Sequence, residues 1–188
     1  MKTLGDRYIG GGKVFFTPLK KDGTLGTEFE IGEVQSGELS FNVEKKEAFS
    51  RDRVIKQLVE QVVTKIDSTF KFNTQKLKTE NLVLAKMGEK EDIAYAIGDT
   101  LPDGTVATKA GTYVAIKMAE NPIQKGQIKF VGDEDGASKP VLLLYSVALA
   151  PASGFNYFTE EFATLEFEAA VLKTDEGYGT EYWMEVGE

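Results

Sequence analysis

The chain has 188 residues, with 30 acidic against 22 basic side chains and a net charge of −8. It contains neither Cys nor His, which excludes disulfides, thiol chemistry, His-based acid–base catalysis and nearly every zinc site. A chain this long buries roughly 70% of its unfolded surface, so one domain over 1–188 needs no covalent staple.

The acidic balance works against a grip on nucleic acid, where affinity comes mostly from Lys and Arg at phosphates. No run of 18 apolar residues occurs, and Met1–Asp6 has no apolar core behind Lys2. The expectation is a protein made and used in a cytoplasm. Residues 1–12 are polar and Gly-rich, ending in Gly10-Gly11-Gly12, and read as a flexible N-terminal arm. Residues 13–34 place two apolar-alternating runs around a Gly-rich turn, the pattern of a β-hairpin.

Residues 37–46 alternate cleanly, with Leu39, Phe41 and Val43 on one face and Glu38, Ser40, Asn42 and Glu44 on the other. That predicts a half-buried strand. The next segment is ambiguous. Val54, Ile55, Leu58, Val59, Val62, Val63 and Ile66 make a helical stripe, yet Val62, Thr64, Ile66, Ser68, Phe70 and Phe72 share one face of a strand. The crowd of β-branched residues selects a strand over 59–73 and leaves 52–58 undecided. The two strands form a long protruding hairpin with its connection at 47–58.

A short helix is expected over about 79–87, with Thr79 capping its first turn, Leu82 and Ala85 on one face, and Gly88 as a left-handed stop. Beyond it, Asp103-Gly104, Asn121-Pro122 and Asp135-Gly136 mark turns, and Thr112–Met118 and Gln127–Val131 read as strands. Pro140–Leu149 suits a fully buried strand. After the Pro151–Gly154 turn, Phe162, Leu165, Phe167, Ala169 and Val171 lie on or near another strand. Gly177-Tyr178-Gly179 turns the chain into Tyr182-Trp183-Met184.

Three of these segments, in order, resemble the tail tube (major tail) proteins of long-tailed bacteriophages. The first is Gly12-Lys13-Val14-Phe15-Phe16 with Ile31 and Gly32, matching the family's opening hairpin. The second is Thr79-Glu80-Asn81-Leu82-Val83-Leu84 with Gly88, matching a Ser/Asp-x-Glu-Asn-Leu-x-Leu run that ends in Gly. Lys86-Met87 departs from the two aromatics the family places before that Gly. The third is 140–186: an apolar strand, the Pro151–Gly154 loop, Thr164–Lys173, which matches the family's closing Leu-x-Leu/Phe-Glu-x-x-Val/Ile-Leu-Lys strand, and a Gly177-Tyr178 turn into an aromatic ending. Together they cover about half the chain.

The resemblance implies a mainly β fold of the phage tail tube type, an antiparallel β-sandwich or half-barrel with one short α-helix and a long protruding hairpin. It implies a structural protein and no enzyme: a self-assembling subunit of stacked, hexameric rings forming a hollow conduit for DNA ejection in a virion tail, assembled in the host bacterial cytoplasm. Its partners would be further copies, the tape measure protein, the tail terminator and distal tail or baseplate proteins, with DNA passing through unbound. No cofactor, metal or catalytic residue is expected. Candidate lumen-lining acids are Glu38, Glu44, Glu60 and Asp67. Candidate subunit contacts are Gly10, Gly11, Gly12, Phe49, Arg51, Arg53, Tyr178, Tyr182 and Trp183.

Other chemistry finds little support in the sequence. Asp133–Gly136 lacks the ligand spacing of a Ca²⁺ loop. Glu160-Glu161 and Asp175-Glu176 are adjacent acids of the kind usually solvated in loops, although paired carboxylates serve glycosidases. Lys20-Lys21 and Lys45-Lys46 are too small for a nucleic-acid patch. The alternative reading is a glycan- or surface-binding β-sandwich module with a sugar site near Tyr157 or Trp183.

Overall fold

The computed structural model describes residues 10–50, 58–134, 138–157 and 162–185. The chain is mainly β and antiparallel, with one short helix. Its strands are β1 (Gly12–Pro18), β2 (Phe29–Glu33), β3 (Ser36–Phe49), β4 (Leu58–Thr74), β5 (Glu89–Tyr95), β6 (Gly111–Lys117), β7 (Gln124–Gly132), β8 (Ser138–Pro151), β9 (Leu165–Val171) and β10 (Gly179–Glu185). The helix, α1, spans Thr79–Ala85.

Eight strands join one sheet in the order β2-β1-β7-β8-β9-β4-β3, with β10 also on β8. β8 is the spine. Along one side it pairs with β7. Along the other, Ser138–Leu144 pair with β10 and Val147–Pro151 pair with β9. The change of partner falls at Tyr145 and Ser146, where the Tyr145 N–H donates to the Tyr178 carbonyl and the Leu172 N–H donates to the Ser146 carbonyl. Two main-chain hydrogen bonds thus bridge the fork in the sheet.

The sheet curls around its own side chains. Val14 and Phe16 of β1, Ile31 of β2 and Ile128 of β7 meet Phe70 and Phe72 of β4, Leu144, Val147 and Leu149 of β8, and Leu165, Phe167, Ala169 and Val171 of β9. Phe72 lies 5.3 Å from Phe70 and 5.4 Å from Phe167, ring centre to ring centre. Strict alternation along β9 puts Leu165, Phe167, Ala169 and Val171 inward and Glu166 and Glu168 outward, as its sequence predicts. The corner between β2 and β3 then draws the curl together: the Gln35 N–H donates to the Asn73 carbonyl, and the Ser36 N–H to Asn73 Oδ1.

Helix α1 closes the open end. Its buried side chains are Asn81 and Leu84, where the sequence favoured Leu82 and Ala85. The fully buried Asn81 amide donates to the Ile31 carbonyl at 2.6 Å and to the Lys76 carbonyl at 2.7 Å, so one side chain ties the helix to β2 and to its own approach. The N-cap is Lys78 with no side-chain cap, so Thr79 is the first helical residue and not the cap. The left-handed residue after the helix is Met87 (φ 50), not Gly88. Gly88 is required for a different reason: a Cβ there would meet Ile116 Cγ2 and the Lys117 carbonyl oxygen, each at 2.7 Å.

Four further expectations change. The arm does not extend to residue 12. Gly12 is buried and opens β1, where a Cβ would strike the Phe130 ring, and the Gly11 carbonyl accepts from the Asp133 N–H at 3.0 Å. The long hairpin runs further than expected, because 47–49 and Leu58 belong to its strands; of the intervening residues 50–57, only Ser50 is among those described. Phe162 is 84% exposed and lies before β9. Leu39 is half-buried, whereas Phe41 and Val43 are exposed, because the core ends where β9 ends.

β5 and β6 form a separate two-stranded sheet. Its neck is held where the Ala119 N–H donates to the Lys86 carbonyl and the Asn121 N–H to the Met87 carbonyl. Met87 and Ala119 are the two non-glycine residues with positive φ among the described residues, and both sit at this neck.

Replacing Asn81 by Ala leaves the Ile31 and Lys76 carbonyls without their donor inside the fold. The expected loss is about 3 kcal/mol of unfolding free energy, read from the urea midpoint at unchanged slope.

Candidate functional site

The hairpin of β3 and β4 is the feature most distinct from the rest of the molecule. β4 is bound to β9 only from Ser68 to Thr74. Its first ten residues, Leu58–Asp67, leave the sheet with β3 as their sole strand partner. At about 3.3 Å per residue this projection is roughly 33 Å long. β3 is the last strand of the sheet, so its outer backbone edge pairs with no strand among the described residues.

Residues directly opposite one another in an antiparallel pair share a face. β3 alternates without interruption from Glu38 to Ala48, while the two unopposed residues, Thr64 and Val59, both belong to β4. The Thr64 hydroxyl turns back to donate to the Glu44 carbonyl at 3.2 Å, which satisfies one of the groups disturbed by the bulge. One face therefore carries Glu38 opposite Lys71, Asn42 opposite Asp67, Glu44 opposite Lys65, Lys46 opposite Val62 and Ala48 opposite Glu60. All four acids singled out by the sequence lie on this face, the one turned away from the core.

That face is of mixed sign. β9 extends it with Glu166 opposite Asn73 and with Glu168, whose carboxylate pairs with Lys71 at 3.2 Å. Lys65 reaches Asp67 at 2.6 Å, and that hydrogen bond, with the charges of Asp67 and Glu44, holds the Lys65 ammonium above its ordinary pKa. Across β3, β4 and β9 the acids are Glu38, Glu44, Glu60, Asp67, Glu166 and Glu168 and the bases are Lys46, Lys65 and Lys71, six against three. The sequence reading picked out the acids and missed the lysines between them. The pairing of Glu44 with Lys65 and of Glu38 with Lys71 depends on the register between the two hairpin strands.

The projecting part is also apolar. Val43, Phe49, Leu58, Val59, Val62, Val63 and Ile66 are all exposed, with Val59 at 68%, and Phe41 is exposed at its base. Val43, Phe49, Leu58, Val63 and Ile66 lie on the face opposite the charged one, while Val62 lies on the charged face opposite Lys46; exposed apolar surface of this kind marks interaction sites. Phe49 is thus the one candidate contact placed on the hairpin itself; Arg51 and Arg53 lie outside the described residues.

The remaining candidate contacts sit elsewhere. Tyr178 braces the hairpin base, its ring edge-on to Phe41 at 6.4 Å and its hydroxyl donating to the Ile66 carbonyl at 2.8 Å. Tyr182 and Trp183 lie on β10, opposite Val141 and Pro140. Gly10 and Gly11 are exposed and form part of the rim of a cavity of about 260 Å³ between the start of β3 and the strands β8 and β10. Tyr157, the other aromatic considered for a sugar platform, packs edge-on against Phe155 at 4.8 Å, and Lys86 Nζ lies 4.4 Å from both rings.

Among the described residues, no group of three acidic, His or Cys side chains is placed to hold a metal ion. The chain matches no protein-family model and no curated protein sequence.

Tyr178 is the strut of the hairpin. Replacing it by Ala should speed amide exchange at Val59–Ile66 by more than ten-fold while leaving Phe70–Thr74 protected. Equal acceleration in both segments would show that Tyr178 supports the core instead.

Proposed function

We propose that this chain is the structural subunit of a phage tail tube, assembling head to tail into stacked, hexameric rings around a channel through which DNA passes. The observation that carries the reading is the β3–β4 hairpin, which projects roughly 33 Å with seven exposed apolar side chains and an outer edge that pairs with no strand among the described residues. A two-stranded hairpin is marginal by itself in water. One that is built this long and this apolar gains its stability from another surface.

Ring assembly answers both liabilities. Joining sheet edges across subunits removes the exposed edge of β3, and a head-to-tail contact whose rotation closes makes a ring. A second contact, through the distal hairpin, then stacks one ring on the next. The resemblance of the three segments to tail tube proteins agrees with this arrangement. It also supplies the expected partners: the tape measure protein, the tail terminator and the distal tail or baseplate proteins. The site of action would be the virion tail.

The mixed-sign face suits the channel wall. With six acids interleaved by three lysines it gives phosphate no continuous basic track, and a net negative surface does not retain DNA. In this role no residue performs catalysis.

The purified protein at high concentration should form hollow tubes or rings of uniform width in negative-stain electron microscopy. Val59→Asp and Val63→Asp place charges on the projecting hairpin, far from the core. Each should leave the melting temperature within about 3 °C, since exposed substitutions cost little. Each should also reduce the sedimentable, polymerised fraction at least ten-fold. Unimpaired polymerisation by both variants would remove the hairpin from the assembly contact.

A further inference from the structure

The turn between β1 and β2 holds an apolar pair in solvent. Leu19 and Leu25 lie opposite each other in an isolated bridge and are 42% and 45% exposed. The turn is fixed in place. The Leu19 N–H donates to the Lys125 carbonyl at 2.7 Å, the Lys20 N–H donates to the Thr24 carbonyl at 2.8 Å, and the Thr24 N–H and hydroxyl both donate to Asp22 Oδ1. Lys20 and Lys21 in the turn and Lys125 beside it are exposed and enter no ion pair among the described residues. A rigid, exposed apolar pair among unpaired cations suits an acidic partner surface with apolar side chains of its own.

We propose that this turn docks on the opposite end of the sheet in a second copy of the chain, against residues 182–185 of β10. There Tyr182 and Met184 share a face of the strand and are 48% and 54% exposed. β7 reaches the same end, with Val131 opposite Val141 and Val141 opposite Tyr182, and runs on into Asp133 and Glu134. Those two acids and Glu185 are all exposed. Each end thus carries an exposed apolar pair. Three bases with Asp22 surround one, and three acids with Lys139 surround the other.

The two ends cannot meet within one copy. β1 pairs with β7 from Gly12 opposite Gly132 to Pro18 opposite Gly126, which sets the patches at least about 20 Å apart along the strands. A second copy displaced along the strand direction brings the basic turn of one onto the acidic end of the other. Such a contact uses a different surface on each side, so it repeats from copy to copy. Two leucines and three lysines make a patch smaller than the roughly 800 Å² per partner of a standard interface. The contact is therefore weak singly and gains strength when repeated around a ring. The inference rests on the tube reading and deepens it, naming a ring-to-ring contact separate from the hairpin.

The absence of Cys makes a direct test available. Leu25→Cys combined with Met184→Cys, polymerised and then treated with a short bismaleimide, should give a ladder of covalent multimers and no internally linked monomer. If Leu25→Cys blocks polymerisation, Thr24→Cys in the same turn takes its place. Lys20→Glu with Lys21→Glu should lower the sedimentable fraction at least ten-fold. Adding Asp133→Lys and Glu134→Lys to that chain should raise it again several-fold, a rescue that a folding defect would not show. Tubes that yield no ladder, or a quadruple variant no better than the double one, would overturn this contact and leave the tube reading standing. An unaltered chain that stays monomeric at every concentration would overturn both.

Discussion

One strand, β4, has to serve two environments, and the rest of the architecture follows from that. From Ser68 to Thr74 it is a wall of the core, held between β3 and β9 with Phe70 and Phe72 inward. From Leu58 to Asp67 the same strand has left β9 behind. Because a strand cannot turn sharply without losing its ladder, the direction fixed by the core half is inherited by the outer half. The bulges at Thr64 and Val59 bend and twist the projection but do not release it. The hairpin is thus aimed by the core, and Tyr178 braces it at the point where the two environments meet.

The closing of the curl is the second half of the same problem. A sheet whose strand order ends in β2 on one side and β3 on the other leaves two margins, yet these strands are neighbours in sequence. The short link through Val34 and Gln35 therefore has to cross the open mouth. Asn73 receives it with both its backbone and its side chain, and Asn81 anchors β2 from the helix beneath. Two asparagines do with directional hydrogen bonds what apolar contact does elsewhere in the core. Lys76 adds a charge-assisted bond to Glu30 at 3.3 Å across the same gap.

Where the sequence was readable, period-2 alternation and pairing agreed, as in β1 and β9; β8, read from its apolar run as fully buried, is a strand that buries Pro140, Leu144, Val147 and Leu149 and leaves its other residues half-buried. It was hardest to read at 58–66, and the bulges explain why. Each unopposed residue shifts the alternation by one, so Val59, Val62, Val63 and Ile66 acquire spacings of three, one and three, which imitate a helical stripe. Phe41 and Val43 alternate like core residues because β3 continues the core face after the core itself has ended. β5 left no apolar signal, since Glu89-Lys90-Glu91-Asp92 is charged throughout and becomes a strand only through its register with β6. At the helix, the motif residue Asn81 was recognised by resemblance, but its task was not legible, because the Ile31 carbonyl it binds is fifty positions away. The cavity beside Gly10 was equally hidden, being assembled from segments spread over most of the chain.

The neck of the β5–β6 unit carries a consequence for how such a chain can diversify. The two backbones leave and re-enter side by side, joined by hydrogen bonds from Ala119 to Lys86 and from Asn121 to Met87, and no residue of 88–120 contributes to the core cluster. Almost everything the rest of the fold asks of that stretch is that it start and finish there. Its length, sequence and surface are open to wholesale exchange, like a bracket fitted to a finished wall. The left-handed Met87 and Ala119 are the fixings, and they mark where a foreign module could be grafted without disturbing the curl behind it.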